Sequence, residues 1–182
     1  MVDPHIEKGA PGQSYRATPN PERSSPTSDG LNVLVIGYGS SLRSDDGLGP
    51  LVAERLRSIF PNEPVTIIST HQLTFDFAEI ISRARCLILI DAMAGDTPGT
   101  ITCQQVKPEK TQPHSLLHHM EPGALLASTQ ALYGAVPRAY LWTAAAESFD
   151  FGDSLSPAVR RALPEFLAQL TTFIRNQVQA DS

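Results

Sequence analysis

Residues 31–37, LNVLVIG, form an unbroken apolar run, the pattern of a strand covered on both faces rather than one half-open to water. It predicts a first strand ending at Gly37. The spacing then changes: Leu48, Leu51, Val52, Leu56 and Ile59 fall 3, 1, 4 and 3 positions apart, which places them on one face of a helix. VTIIS (65–69) predicts strand two, and roughly 74–84 a helix with Phe77, Ile80 and Ile81 inward. CLILIDA (86–92) and GTITCQQV (99–106) predict strands three and four. Only about seven residues, AMAGDTP (92–98, counting the last of strand three), join them, too few for a parallel crossover, so these strands should run antiparallel if they are neighbours. EPGALLASTQALY predicts a helix and AYLWTAA a fifth strand. Ser156 as N-cap and Pro157 at the first helical position open a last helix to about residue 176. This order predicts an α/β chain: a three-layer α/β/α sandwich around a five-stranded, mostly parallel sheet with one antiparallel strand.

The first 29 residues break the pattern. They hold five of the fifteen prolines and almost no periodic apolar positions, and such a segment cannot offset its ordering entropy. The expectation is a disordered tail at 1–29 and one domain at 30–182. At 41% hydrophobic, that domain builds its core without disulfides or a structural metal. Cys86 and Cys103 both fall in predicted strands, where a thiol acts as a small hydrophobe. A net charge of -5 argues against a nucleic-acid or acidic-membrane partner, which Lys and Arg would have to hold. With no signal-peptide pattern and no apolar run near the ~20 residues that span a bilayer, a soluble cytoplasmic protein is expected.

Ligands of open parallel sheets bind beyond the carboxyl ends of the strands, and there this chain places acids and histidines. The turn GYGSSLRSDDGLG (37–49) carries Asp45 and Asp46, the loop after strand two His71, and the end of strand three Asp91. The long connection after strand four carries His114, His118 and His119. Either aspartate of the turn could simply cap the helix beginning near Leu48, and His71 could be a plain loop hydrogen-bonder. Asp91 is harder to explain away, because a carboxylate closing LILI is costly to bury unless paired, hydrogen-bonded or metal-bound. Two carboxylates and an imidazole suit a borderline or hard divalent ion, or could equally position a water for hydrolysis. A dinucleotide is disfavoured: Leu42 replaces the third glycine of the fingerprint, strand two ends without a ribose-binding acid, and acids repel phosphate.

VLVIGYGSSLRSDDGLGP resembles the opening motif of the hydrogenase maturation endopeptidases, which trim the C-terminal extension of the [NiFe]-hydrogenase large subunit after nickel insertion. LILIDAMAGDTPGTI is similar to that family's second signature, HHMEPGALLA to its histidine-led helix start, and AESFDFGDSLSP to its last loop. The resemblance spans about residues 31–175 in the expected order. It implies a phosphorylase/hydrolase-like fold and endopeptidase activity, with Asp46, Asp91 and His118 as catalytic and metal-contacting residues. It also implies a large-subunit precursor as partner, and nickel carried by that substrate rather than a tightly bound cofactor. His119 is the alternative to His118 by one residue of register. Ser40 stands where the family usually has Asn, Asp46 where it usually has Glu, and THQLTFDFAE in place of a glycine-rich second loop. The same ligands would also serve a non-catalytic metallocentre-assembly factor, or another endopeptidase of this scaffold such as a relative of the spore germination protease.

Overall fold

The computed structural model describes residues 31–109 and 120–180. The tail expected at 1–29 and the candidates His114, His118 and His119 lie outside the described residues. Among the described residues five strands and four α-helices follow in the order β1 (Leu31–Tyr38), α1 (Leu48–Ile59), β2 (Val65–Thr70), α2 (Phe77–Arg83), β3 (Ala84–Ala94), β4 (Ile101–Val106), α3 (Pro122–Tyr133), β5 (Arg138–Ala146) and α4 (Pro157–Ala180). The strands form one sheet in the order β2-β1-β3-β5-β4. All neighbours are parallel except β4, which runs antiparallel to β5.

Two details differ from the sequence expectation for physical reasons. Strands β3 and β4 are not neighbours, because β5 inserts between them. Their short link reverses direction as expected but steps over one strand, about 10 Å sideways, a distance six residues cover easily. Cys103 is exposed, whereas Cys86 is buried. Strand β4 is an edge strand, and its middle four residues, Thr102 to Gln105, all face water.

Alternation along the central strands divides the core between the two helix layers. Val33, Val35, Cys86, Ile88, Ile90 and Trp142 pack with Leu48, Val52 and Leu56 of α1 and with Val159, Phe166 and Leu170 of α4. Leu34, Ile36, Leu87, Leu89 and Leu141 pack on the other face with Ala78 and Ile81 of α2 and Leu125 and Leu126 of α3. Both faces of β1 and β3 are thus covered, as their unbroken apolar runs require.

The glycines of the first turn let α1 come down onto the strand ends. A side chain at Gly37 would strike the backbone of Gly49, and one at Gly49 would strike the backbone of Tyr38 and Ile90. Gly39 has φ 130, and a side chain there would overlap the Asp46 carbonyl. The turn therefore folds back tightly over the carboxyl ends of β1 and β3, which carries its two aspartates to the mouth of the sheet.

Candidate active site

Tyr38 is the last residue of β1, and Gly37 pairs with Ile90, so Tyr38 stands beside Asp91 on β3. Both lie on the α2/α3 face, and Tyr38 packs against that core cluster. The phenol hydrogen-bonds the Asp91 carboxylate, and Asp91 Oδ1 also accepts the Ala92 backbone N–H at 2.8 Å. Asp46 joins from the turn. Its Oδ2 accepts the Ser40 backbone N–H at 2.8 Å, so a backbone group, not the Ser40 side chain, sets its aim. The replacement of Asn by Ser at position 40 leaves that contact intact. One oxygen is used and the rest of the carboxylate remains available to a ligand.

The electrostatics link the three residues. Desolvation pushes the Asp91 carboxyl up to about 6, against the two hydrogen bonds that favour its charged form, and the negative charge of Asp46 adds to the rise. Burial, followed by the charge of Asp91, holds the Tyr38 phenol well above its ordinary range, so it stays a neutral donor. Two carboxylates within electrostatic reach of each other, with no ion-pair partner among the described residues, make a place where a cation would be welcome. Among the described residues no group of three or more His, Cys, Asp and Glu side chains is placed to hold a metal ion.

His71 reaches this region from the loop after β2. Its Nδ1 lies 3.2 Å from the Gly39 carbonyl oxygen, and since a carbonyl only accepts, Nδ1 carries the proton and Nε2 is left as the acceptor. The loop hydrogen-bonding expected of His71 is what the geometry gives, and the ring braces the turn that holds Asp46.

Asp45 does something different from either role the sequence offered. It does not cap α1, whose N-cap is Gly47 and has no side-chain cap. Its carboxylate is fully buried and accepts backbone N–H bonds from Glu147 at 2.8 Å, Ser148 at 3.1 Å and Ser156 at 2.7 Å. Ser156 is the N-cap of α4, and its hydroxyl accepts the Val159 N–H at 3.3 Å. Two backbone bonds complete the seam: Ser44 N–H donates to the Gly152 carbonyl and Gly152 N–H to the Leu42 carbonyl, each at 3.0 Å. The turn after β1 and the loop after β5 are one unit tied by Asp45. Of the adjacent acids, one is structural and the other faces the mouth.

Tyr38 was not a sequence candidate, because an aromatic residue after VLVIG reads as core. The available signal was its parity: it shares the face of Leu34 and Ile36 and is the first residue beyond the buried strand.

A doubly covered, mostly parallel five-stranded sheet with one antiparallel strand is the fold of hydrogenase maturation endopeptidases of known structure. It is similar to the hydrogenase maturating endopeptidase HybD from E. coli, with a TM-score of 0.65 and 22% identity over 79% of this chain and 92% of that one. It is also similar to the [NiFe] hydrogenase maturation protease HycI from Thermococcus kodakarensis KOD1, with a TM-score of 0.62 and 20% identity over 84% and 95% of the two chains. In sequence the chain is 31% identical over 156 residues to the hydrogenase expression/formation protein HupM of Azotobacter chroococcum mcd 1, covering 81% of this chain and 74% of that protein. No family model matches. The chain belongs to the hydrogenase maturation endopeptidase family. No helix among the described residues is long and apolar enough to cross a membrane.

Proposed function

We propose that this protein is an endopeptidase that removes the C-terminal extension of a [NiFe]-hydrogenase large-subunit precursor once nickel has been inserted. The observation that carries this reading is the pairing of Asp46 and Asp91 at the carboxyl mouth of the sheet, aimed by Ser40 N–H and Tyr38 and without an ion-pair partner among the described residues. In this reading the missing positive charge arrives with the substrate: Asp46 and Asp91 contribute oxygen ligands and His118 an imidazole to nickel already seated in the precursor. A mixed O/N donor set of this kind suits a borderline divalent ion.

The same contact fixes the chemistry. A metal held at the carboxylates brings the neighbouring peptide bond to the mouth, and water adds across it, giving a new carboxyl and a new amino terminus. Neither cysteine is placed for covalent catalysis: Cys86 is buried in the core, and Cys103 pairs with Trp142 on the opposite sheet face from Asp91. With its carboxyl at about 6, Asp91 is ionised at neutral pH and suited to take a proton from that water.

Incubation with nickel-loaded and nickel-free precursor, followed by mass measurement, tests the reading. Loss of the C-terminal peptide is expected only from loaded precursor, and not with the Asp46→Ala, Asp91→Ala double variant. Cleavage that ignores nickel or survives the double variant would sink the mechanism. Binding of loaded precursor without any cleavage would instead identify an assembly factor. His118→Ala is expected to slow cleavage at least about tenfold, as loss of a metal contact does, with His119→Ala within about twofold of wild type. The reverse ranking would move the ligand to His119.

A further inference from the structure

A groove of about 250 Å³ opens next to the Asp91 end of β3, with Met93, Thr97, Thr100, Thr102, Thr143 and Ala145 among its walls. Thr143 is the register partner of Asp91 on β5, and Met93 follows Asp91 by two residues. All three therefore share one sheet face, and the groove begins about 7 Å along the strand from the carboxylate. The link between β3 and β4 makes a firm wall. Gly99 N–H donates to the Ala145 carbonyl at 2.7 Å, Ala145 N–H to the Thr100 carbonyl at 2.9 Å, and Thr100 N–H to the Thr97 carbonyl at 3.1 Å.

The floor has its own chemistry. Thr143 is buried, and its hydroxyl lies 2.7 Å from that of Thr102. Two hydroxyls carry two protons and their mutual bond uses one, so one proton is left for an outside acceptor such as a peptide carbonyl. Around that pair the lining is Met93, the alanines and threonine methyls, with Asp96 contributing a carboxylate and no basic residue among the described ones. Met93 is 45% exposed, an apolar side chain that the described residues cover only in part. None of this is used in holding a metal.

We infer that this groove is a side-chain subsite for the substrate peptide: it takes an aliphatic side chain lying within two residues of the bond that is cut, while the Thr102–Thr143 pair holds a backbone carbonyl. The inference rests on the endopeptidase reading above. An extended peptide advances about 3.3 Å per residue, so a chain cut at Asp91 reaches the groove within about two residues. An acidic side chain is disfavoured, because it would meet Asp96 with no basic partner among the described lining residues.

The test changes each of the two precursor residues on either side of the cut to Asp, one at a time, and measures kcat/KM on nickel-loaded precursor. One position is expected to lose about 30-fold or more, the scale at which apolar pockets discriminate, and the others much less. The protein variant Met93→Lys is expected to restore at least about tenfold toward that one Asp-bearing precursor while slowing the unaltered one, an inversion that a merely structural role of Met93 would not give. Indifference to Asp at all four positions, or equal slowing of every precursor by Met93→Lys, would overturn the subsite alone. A wild-type protein that cuts no precursor would remove the endopeptidase reading, and this inference with it.

Discussion

Asp91→Asn is expected to lower cleavage of nickel-loaded precursor by about a thousandfold, the scale seen when one group stabilising a reaction centre is removed, without lowering stability. Asn keeps the shape, with its amide oxygen accepting the Ala92 N–H and its NH2 able to donate to the Tyr38 hydroxyl oxygen, but it has no charge for a cation and takes no proton from water. The stability half of the prediction follows from the same burial. The Asp91 carboxyl sits at about 6 in the folded chain against its ordinary 3.8, so between those pH values the folded chain keeps a proton that the unfolded chain has released. The contribution of Asp91 to stability is therefore full below about pH 4 and declines as pH rises to about 6. Above that pH the ionised group is a net cost of about 1–3 kcal/mol, since each unit is worth about 1.4. Asn removes that cost, and its melting temperature at pH 8 should equal or exceed wild type. Cleavage has the opposite dependence: wild-type kcat/KM should fall as pH drops through about 6, as the Asp91 carboxylate is protonated. An Asp91→Asn protein that cuts at a tenth of the wild-type rate, or a wild-type profile flat to pH 5, would show that Asp91 does not act as a charged ligand or base.

The chain announces its sheet and its mouth more clearly than its seams. Apolar runs and helical spacing reveal β1, α1 and β3, because those elements are buried on faces that periodicity reports directly, and the Ser156–Pro157 start signal reveals α4. Asp91 is equally legible, as an acid at the end of a buried strand demands a reason. What depends on which strands become neighbours is less so. The seven-residue link predicts the reversal at β4 but carries no sign that β5 lies between, and the exposure of Cys103 follows from that edge position. Gln104 and Gln105 in β4 were the clue, since polar residues in successive positions do not suit a strand covered on both faces. The anchors of Asp45 lie more than 100 residues away, so local sequence offered only the local role, a helix cap. Residues doing opposite work thus stand side by side in one dipeptide.

Asp45→Ala should separate those two roles. The variant leaves three backbone N–H groups, of Glu147, Ser148 and Ser156, facing a site from which their carboxylate acceptor has been removed. A hydrogen bond to a charged group is worth about 1.5–3 kcal/mol, and an unsatisfied buried donor costs a similar amount. The start of α4 also loses a carboxylate where its dipole favours one. Allowing for relaxation and entry of water, the expected loss is about 3–5 kcal/mol, which for a chain of this size lowers the melting temperature by roughly 6–20 °C. Asp45→Asn should recover only part of this, because its amide NH2 must point at one of the donors. Asp46→Ala, one residue on, gives up a single part-buried bond from Ser40 and should melt within about 2 °C of wild type while losing cleavage. The measurement is thermal and urea unfolding of the three variants beside cleavage assays. An Asp45→Ala protein as stable as wild type would mean that the Ser44–Gly152 backbone seam holds the two loops by itself. The predicted pattern is instead that Asp45 anchors the turn to α4, and that this rigidity keeps Asp46 beside Asp91 with a metal's charge still to be met.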